Sequence, residues 1–352
     1  MEQFIGCDAH KKFSVFVAVN EKGQAGEAVR VPHDRQVYRE FLSQLPPRST
    51  IAVEASGHYS WIVDEMERLG HQPQLANPLE AKRRMGGTKK TDKLDARGLA
   101  VLLRNGTLPT VWIPPGELRD RRELLRMRIF LVQLKTRVKN RIHGTLARHN
   151  VVVPGADLFG AEARSQLESR LSELPTHTRF AVDQELSTLD SLEEAITDVE
   201  RELEAVREVS AEADLLMTLP CVGKILSMVL MLEIGRVDRF PTAAHLASYA
   251  GLVPRVHSSG GRTRMGQVCG NVNRILKWAF VEAGNLVVVN QRHLAGTHVV
   301  RLYQRIKRAK NHQKAVVAVG RHLAEAAWWV LTKQEVYREP QVPRQALSST
   351  HG

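Results

Sequence analysis

The sequence predicts a mixed α/β domain followed by a longer, mainly helical region, and three observations carry that prediction. Short runs of β-branched and aromatic residues alternate with amphipathic segments over the first hundred residues. A proline-rich break follows, and beyond it apolar residues recur at helical spacing to near the C-terminus. With 352 residues, 43% of them hydrophobic, the chain exceeds one ordinary domain and can bury more than one core.

The elements follow in order. FIGCDAHKKFSVFVAV (4–19) reads as two strands broken by a polar DAHKK turn, so Asp8 ends the first strand. Residues 36–44 suit a short helix, TIAVEAS (50–56) a buried strand ending at Glu54, 59–70 an amphipathic helix and 72–76 a further strand. In the basic run AKRRMGGTKKTDKLDARGLAVLLRNG the second half is helical and stops at Asn105 and Gly106. LPTVWIPPG (108–116) reads as a linker. Residues 117–149 form a helix with ten Lys/Arg against three acids, and 151–217 invert that balance with sixteen acids against five arginines. Within this acidic part Leu189, Leu192, Ile196, Val199, Leu203 and Val206 step by 3 and 4. That seam suits a coiled-coil-like arm, as a hairpin or a dimer contact, and equally an amphipathic helix packed within its own chain. TLPCVGKILSMVLMLEIG (218–235) resembles half of a helix-hairpin-helix, 241–266 passes from a helix into a loop rich in Gly, Ser and Arg, another helix begins near Asn271, and 301–331 is a basic amphipathic helix pair. The expected divisions are 1–107, 108–217, 218–335 and a disordered tail at 336–352.

Charge and cysteine usage narrow the function. A net charge of +12, rising to +23 once the acidic segment is set aside, points to a polyanionic partner, most economically nucleic acid. Cys7, Cys221 and Cys269 have neither disulfide-framework nor zinc-ligand spacing. The start has no signal-peptide pattern and no window approaches a membrane span, so a cytoplasmic protein without a membrane partner is expected.

Four acids stand out. Asp8 and Glu54 end apolar strands, while Asp92 and Asp95, three residues apart, share one helical face. Carboxylates gathered at strand ends repel one another unless a cation neutralises them, and a hard oxygen set suits Mg²⁺ or Mn²⁺. Such a centre can polarise a phosphodiester. The plainer reading of any one of them is a cap, a surface charge or an ion-pair partner. Lys82, Arg83, Arg84, Lys89 and Lys90 precede the Asp92 helix, and Arg119, Arg122, Arg126, Lys135, Arg137, Lys139 and Arg141 lie on the long basic helix. Both clusters are candidate phosphate contacts or, failing that, solvated charged faces.

Taken in order, IGCDAHKK, AVEASGHY, KKTDKLDARGLA and ASYAGLVPRVHSSGG resemble successive motifs of the DEDD transposases of insertion sequences, family one-hundred-ten, which also includes the Piv DNA invertases. The resemblance spans about residues 4–330. It implies a RuvC-like, ribonuclease-H-type N-terminal domain whose acidic tetrad is Asp8, Glu54, Asp92 and Asp95, and a C-terminal transposase domain contributing a nucleophilic serine matched by Ser259, with Ser258 beside it as the other choice. Arg255, Arg262 and Arg264 surround that serine and suit the phosphate. The implied activity is DNA cleavage and strand exchange through a serine–DNA link, directed by a noncoding RNA that pairs with donor and target DNA. A homodimer or tetramer is expected, because recombination needs at least two active sites. Two alternatives stay open: a RuvC-like nuclease or junction resolvase using activated water, and a non-catalytic nucleic-acid-binding scaffold.

Overall fold

The computed structural model describes residues 3–86, 91–153, 158–259, 262–268 and 272–340, and the chain divides into two units after Gly116. The first unit is built on six strands: β1 (Gln3–Ala9), β2 (Phe13–Asn20), β3 (Val29–Pro32), β4 (Thr50–Glu54), β5 (Gln72–Ala76) and β6 (Thr110–Val111). Its helices are α1 (Arg35–Ser43), α2 (Tyr59–Arg68), α3 (Pro78–Met85) and α4 (Asp92–Arg104). The sheet order is β3-β2-β1-β4-β5-β6, with β1 antiparallel to β2 but parallel to β4, and β4 parallel to β5.

Strand alternation sorts the side chains onto two faces. Ile5 and Cys7 of β1 and Ile51 and Val53 of β4 pack with Tyr38 and Leu42 of α1 and Ile62 and Met66 of α2. On the opposite face Ala52 packs with Leu99 and Leu102 of α4, and Val15 and Val17 of β2 pack with Ala96 and Ala100. The α1–α2 layer is pinned by Glu65, buried and bonded to Arg39 at 2.7 Å and Arg68 at 2.9 Å.

Three short pieces depart from the sequence reading, the first being β3, which pairs antiparallel with β2 where no element was expected. Thr110–Val111, expected within a linker, pairs antiparallel with Leu75 and Ala76, because its β-branched residues complete the sheet edge before the prolines end pairing. Pro78–Met85, read only as basic chain, is helical, with Asn77 capping the Glu80 amide and Pro78 in the first turn.

The second unit opens with α5 (Gly116–Arg148), followed by α6 (Ala161–Arg170), α7 (Thr176–Glu208), α8 (Ala211–Met217), α9 (Lys224–Ile234) and α10 (Ala243–Tyr249). Then come a two-stranded sheet of β7 (Pro254–Ser259) and β8 (Arg262–Val268), and α11 (Arg274–Val289), α12 (His298–Ala309) and α13 (His312–Lys333). The 33-residue helices α5 and α7 run antiparallel, since Arg128, Lys135 and Arg141 meet Glu200, Glu193 and Glu185 in turn. Leu189, Ile196 and Leu203 of the 3-and-4 seam are buried within this chain. The acidic segment thus lies along the basic helix.

The Gly, Ser and Arg stretch expected as a loop is an antiparallel hairpin, with Ser259 paired to Arg262 and His257 to Arg264. Its strands flank Gly260-Gly261 in the sequence, a hairpin signal that the Ser/Gly/Arg composition masks. Helices α9, α10, α11 and α13 form the main helical core, from Leu226 and Val229 to Phe280, Val319 and Leu323. No helix among the described residues is long and apolar enough to cross a membrane.

Candidate active site

Gly6 sets the geometry of the first unit. A Cβ there would lie 1.9 Å from the Ala96 carbonyl oxygen and 2.7 Å from the Ala100 nitrogen, so only glycine lets the α4 backbone rest on β1. Asp8, two residues on, projects from the same face toward the start of α4. The β1–β4 register pairs Cys7 with Val53, and its next step sets Asp8 beside Glu54 on that face. Thr91 caps α4 by accepting from the Leu94 amide at 3.3 Å. Asp92 and Asp95 then fall in the first turn, where the helix dipole favours negative charge.

These positions bring the four acids within electrostatic reach of one another. Asp8 is buried at 7% exposure, and its carboxyl is pushed up to about 6 by burial and by the charges of Glu54, Asp95 and Asp92, against the opposing pull of His10. Glu54 and Asp95 both line a cleft of about 1080 Å³, together with Lys82, Arg84 and Arg97.

His10 went unread in the sequence. Its Nε2 lies 3.2 Å from Asp8 Oδ2 and 3.3 Å from Asp92 Oδ2. At those distances it still forms no hydrogen bond of good angle, so a buried ring nitrogen aims between two carboxylates without a directed partner. One donor atom from each of Asp8, His10 and Asp92 lies within 4.8 Å of the others. An ion with bonds of about 2 to 2.5 Å would draw such a set together. The residues therefore fit a divalent cation, with imidazole as an additional donor; when protonated, the same ring neutralises the acids instead. The Asp-x-His spacing at the end of a strand was the available signal, since alternate residues share a face.

The predicted phosphate contacts separate into groups. Lys82 and Arg84 line the acidic cleft, and Arg84 also donates to the Thr107 carbonyl. Arg83 is paired with Glu80 at 2.7 Å, and Lys89 and Lys90 lie outside the described residues. On α5 the open basic stripe expected from the sequence is largely engaged within the chain, because acids from α7 and α9 face it. Arg122 is buried and donates to the carbonyls of Leu232 and Glu233, which corrects its placement at a nucleic-acid surface. Arg126 faces Glu233 at 3.4 Å, Lys135 faces Glu193 at 2.8 Å and Arg141 is bonded to Glu185. Lys139 lies over the Phe159 ring, Arg119 is partly buried and Arg137 is exposed.

In the second unit Ser259 is the last residue of β7, with Ser258 before it and Arg255 and His257 at alternate positions of the same strand. Arg262 and Arg264 are the partners of Ser259 and His257 on β8. The feet of this hairpin are tied together. The Asn273 amide donates to the Tyr249 carbonyl at 3.1 Å, and the Asn273 side chain donates to buried Glu233 at 2.7 Å while capping α11.

Comparison with known proteins gives this arrangement a family. Residues 5–151 match the transposase model of the DEDD class named for IS110, and residues 213–299 match the model described as "Transposase IS116/IS110/IS902 family". The chain is 25% identical to the transposase for insertion sequence element IS1111A of Coxiella burnetii over 337 residues, covering 96% of this chain and 91% of that protein. It is 23% identical to the transposase for insertion sequence element IS1328 of Yersinia enterocolitica, covering 95% and 98%. A 136-residue stretch is 35% identical to the 43.6 kDa protein of insertion element IS110 of Streptomyces coelicolor, over 38% of this chain and 32% of that one. The DEDD class implies a divalent metal, which the acids and His10 described above suit. The chain thus belongs to the IS116/IS110/IS902 family of insertion-sequence transposases, enzymes that cut DNA and transfer its strands.

Proposed function

We propose that this transposase exchanges DNA strands through a covalent serine–DNA intermediate, using Asp8, Glu54, Asp92 and Asp95 as the acidic half of its chemistry and Ser259 as the nucleophile. The observation that carries the proposal is the convergence of all four acids on one end of the sheet, in a chain whose second family segment ends a strand on the matched serine. The sheet, with its antiparallel β3-β2-β1 side, its parallel β1-β4-β5 side and acids at adjacent strand ends, supports a ribonuclease-H-type reading of the first unit.

In the proposed step the Ser259 hydroxyl gives up its proton as its oxygen bonds to phosphorus. The phosphorus–oxygen bond to the departing strand breaks, and that strand's oxygen takes a proton. Attack by the hydroxyl of the incoming strand reverses the sequence, joins new DNA and returns the serine. The number of phosphodiester linkages is conserved, which separates exchange from hydrolysis. When bound, Mg²⁺ or Mn²⁺ would supply positive charge to the phosphate and the leaving oxygen. The acids hold that charge, and Lys82, Arg84, Arg255, Arg262 and Arg264 serve the surrounding DNA backbone. Guidance by a noncoding RNA, and assembly as a dimer or tetramer, extend the same proposal; the positive balance outside residues 151–217 supports a second nucleic acid.

The test is to incubate the full chain with Mg²⁺ and a nicked substrate that traps cleaved product, then denature and resolve protein-linked DNA. The proposal expects a covalent adduct that maps to Ser259, persists in Ser258→Ala and disappears in Ser259→Ala. Cleavage to free ends by Ser259→Ala at the wild-type rate would overturn it and favour a nuclease using activated water. Recombination surviving Asp8→Ala would leave the acids without a catalytic part.

A further inference from the structure

We propose that the exposed stripe running from Arg301 along α12 to Lys314 at the start of α13 is a binding surface for the phosphodiester backbone, distinct from the acidic cleft and from the serine hairpin. The forty-two residues between Glu282 and Glu325 contain no Asp or Glu but eight Lys/Arg. Arg301, Arg305 and Arg308 step by four and three, so they share one face of α12, and a rise of 1.5 Å per residue spreads them over about 10 Å. Lys310 and Lys314 continue the exposed cationic surface across the turn. The opposite side of α12 is accounted for by packing, with Val299, Val300 and Tyr303 buried.

The energetics of these cations differ from those of the other basic helix. On α5, Arg128, Lys135 and Arg141 each meet an acid of α7. On α12, among the described residues, none of the cations forms an ion pair. Arg301 donates to the Gly296 carbonyl, and Lys307 lies 5.6 Å from the centre of the Tyr303 ring. Like charges three and four residues apart disfavour a helix, and among the described residues no ion pair relieves that repulsion; Glu339 instead accepts from the His298 amide at the start of α12 at 2.8 Å. A polyanion would relieve the repulsion. Guanidinium groups along a stripe can bond phosphate oxygens bidentately while reading no base, so the surface is matched to the nucleic-acid backbone rather than to a sequence. The family acts on DNA, so the occupant assigned to this face is duplex DNA, and RNA is the alternative that the test separates.

The experiment compares the full chain with Arg301→Gln/Arg305→Gln/Arg308→Gln, measuring affinity for a duplex DNA and for a single-stranded RNA of equal length across a salt series. Arg and Gln have similar helix propensities and all three positions are exposed, so the melting temperature should stay that of the wild type. The expected result is an affinity loss of about tenfold or more near physiological salt. The slope of log K against log salt should fall by about 3 for the duplex, or about 2 for the single strand, if all three contacts are lost. The duplex should show the change, and a change confined to the RNA would overturn the assignment of DNA to this face. A triple with the same change in net charge, Arg170→Gln/Arg179→Gln/Arg201→Gln, removes cations that already face acids and should leave both slopes unchanged. Unchanged slopes for both nucleic acids in the α12 variant, or equal losses in the two triples, would overturn the proposal. If the α12 triple melts early, Arg305→Gln alone should lower a slope by about 1, and no change there counts against the surface equally. None of these outcomes depends on the serine or the acidic tetrad.

Discussion

Asp8 is where stability and function pull apart. Burial and three neighbouring acids push its carboxyl up to about 6, against an ordinary value near 4, so the folded state binds more protons than the unfolded chain between those values. Stability of the metal-free protein therefore falls as pH rises through that window, and above it the whole penalty is present. Asp8→Asn should stabilise the metal-free chain at pH 7.5 by about 1 to 3 kcal/mol, yet abolish strand transfer. Adding Mg²⁺ should raise the melting temperature of the wild type and leave that of Asp8→Asn nearly unmoved. A thermal melt with chelator and with Mg²⁺ checks both halves, and a destabilised metal-free Asp8→Asn would contradict the argument. His10 belongs to the same balance. With its Nε2 between Asp8 and Asp92, His10→Ala should weaken metal binding by about 10- to 100-fold, measured by titrating Mn²⁺ or Mg²⁺ against the melting temperature.

At the scale of elements, the acids depend on how closely α4 lies on β1. Gly6→Ala would place a methyl group 1.9 Å from a backbone oxygen that cannot swing aside, so α4 must shift. The expected cost is about 1 to 3 kcal/mol, with a loss of metal-dependent activity out of proportion to it, because Asp92 and Asp95 move with the helix. Retained activity in a folded Gly6→Ala variant would show that this contact does not set the site. In the second unit, Glu233 joins α5 to the hairpin feet through Arg126 and Asn273. Glu233→Ala should cost about 3 to 5 kcal/mol by leaving Arg122 and Arg126 facing an empty acid position, whereas exposed arm pairs such as Lys135–Glu193 should cost under about 1 kcal/mol each. Denaturant midpoints of these variants give the comparison. The sequence made β1, β4 and α4 legible because alternation and the i, i+3 acids specify a face. It left other parts unread for physical reasons: two residues of β6 are too few to show a period, and the serine hairpin looked like a loop because Ser, Gly and Arg have weak strand preference. The seam on α7 marked an apolar stripe but not its cover, and the clue lay in charge, since the basic helix had its acidic complement further along the same chain. His10 escaped because a histidine following a strand acquires meaning only once the start of α4 is seen to reach it.

For the whole molecule, the hydrophobic clusters follow the division after Gly116. Those built on Ile5, Val53 and Met66, on Ala52 and Leu102, and on Val17 and Ala96 all lie before it. Those built on Phe280 and Val319 and on Ile142 and Leu186 lie after it. A unit that owns its core has what it needs to fold alone, and the first also holds every acid of the cleft. A fragment of residues 1–116 should therefore unfold cooperatively in urea, and its midpoint should rise with Mg²⁺ in the wild type but not in Asp8→Asn. Lacking the second unit and its serine, the fragment should form no covalent adduct with DNA at any metal concentration. A non-cooperative fragment would mean that the first core is completed by residues beyond Gly116. A cooperative fragment blind to Mg²⁺ would mean that the acids need a donor from elsewhere, and would move the metal site away from the four carboxylates as they stand at the ends of β1 and β4 and the start of α4.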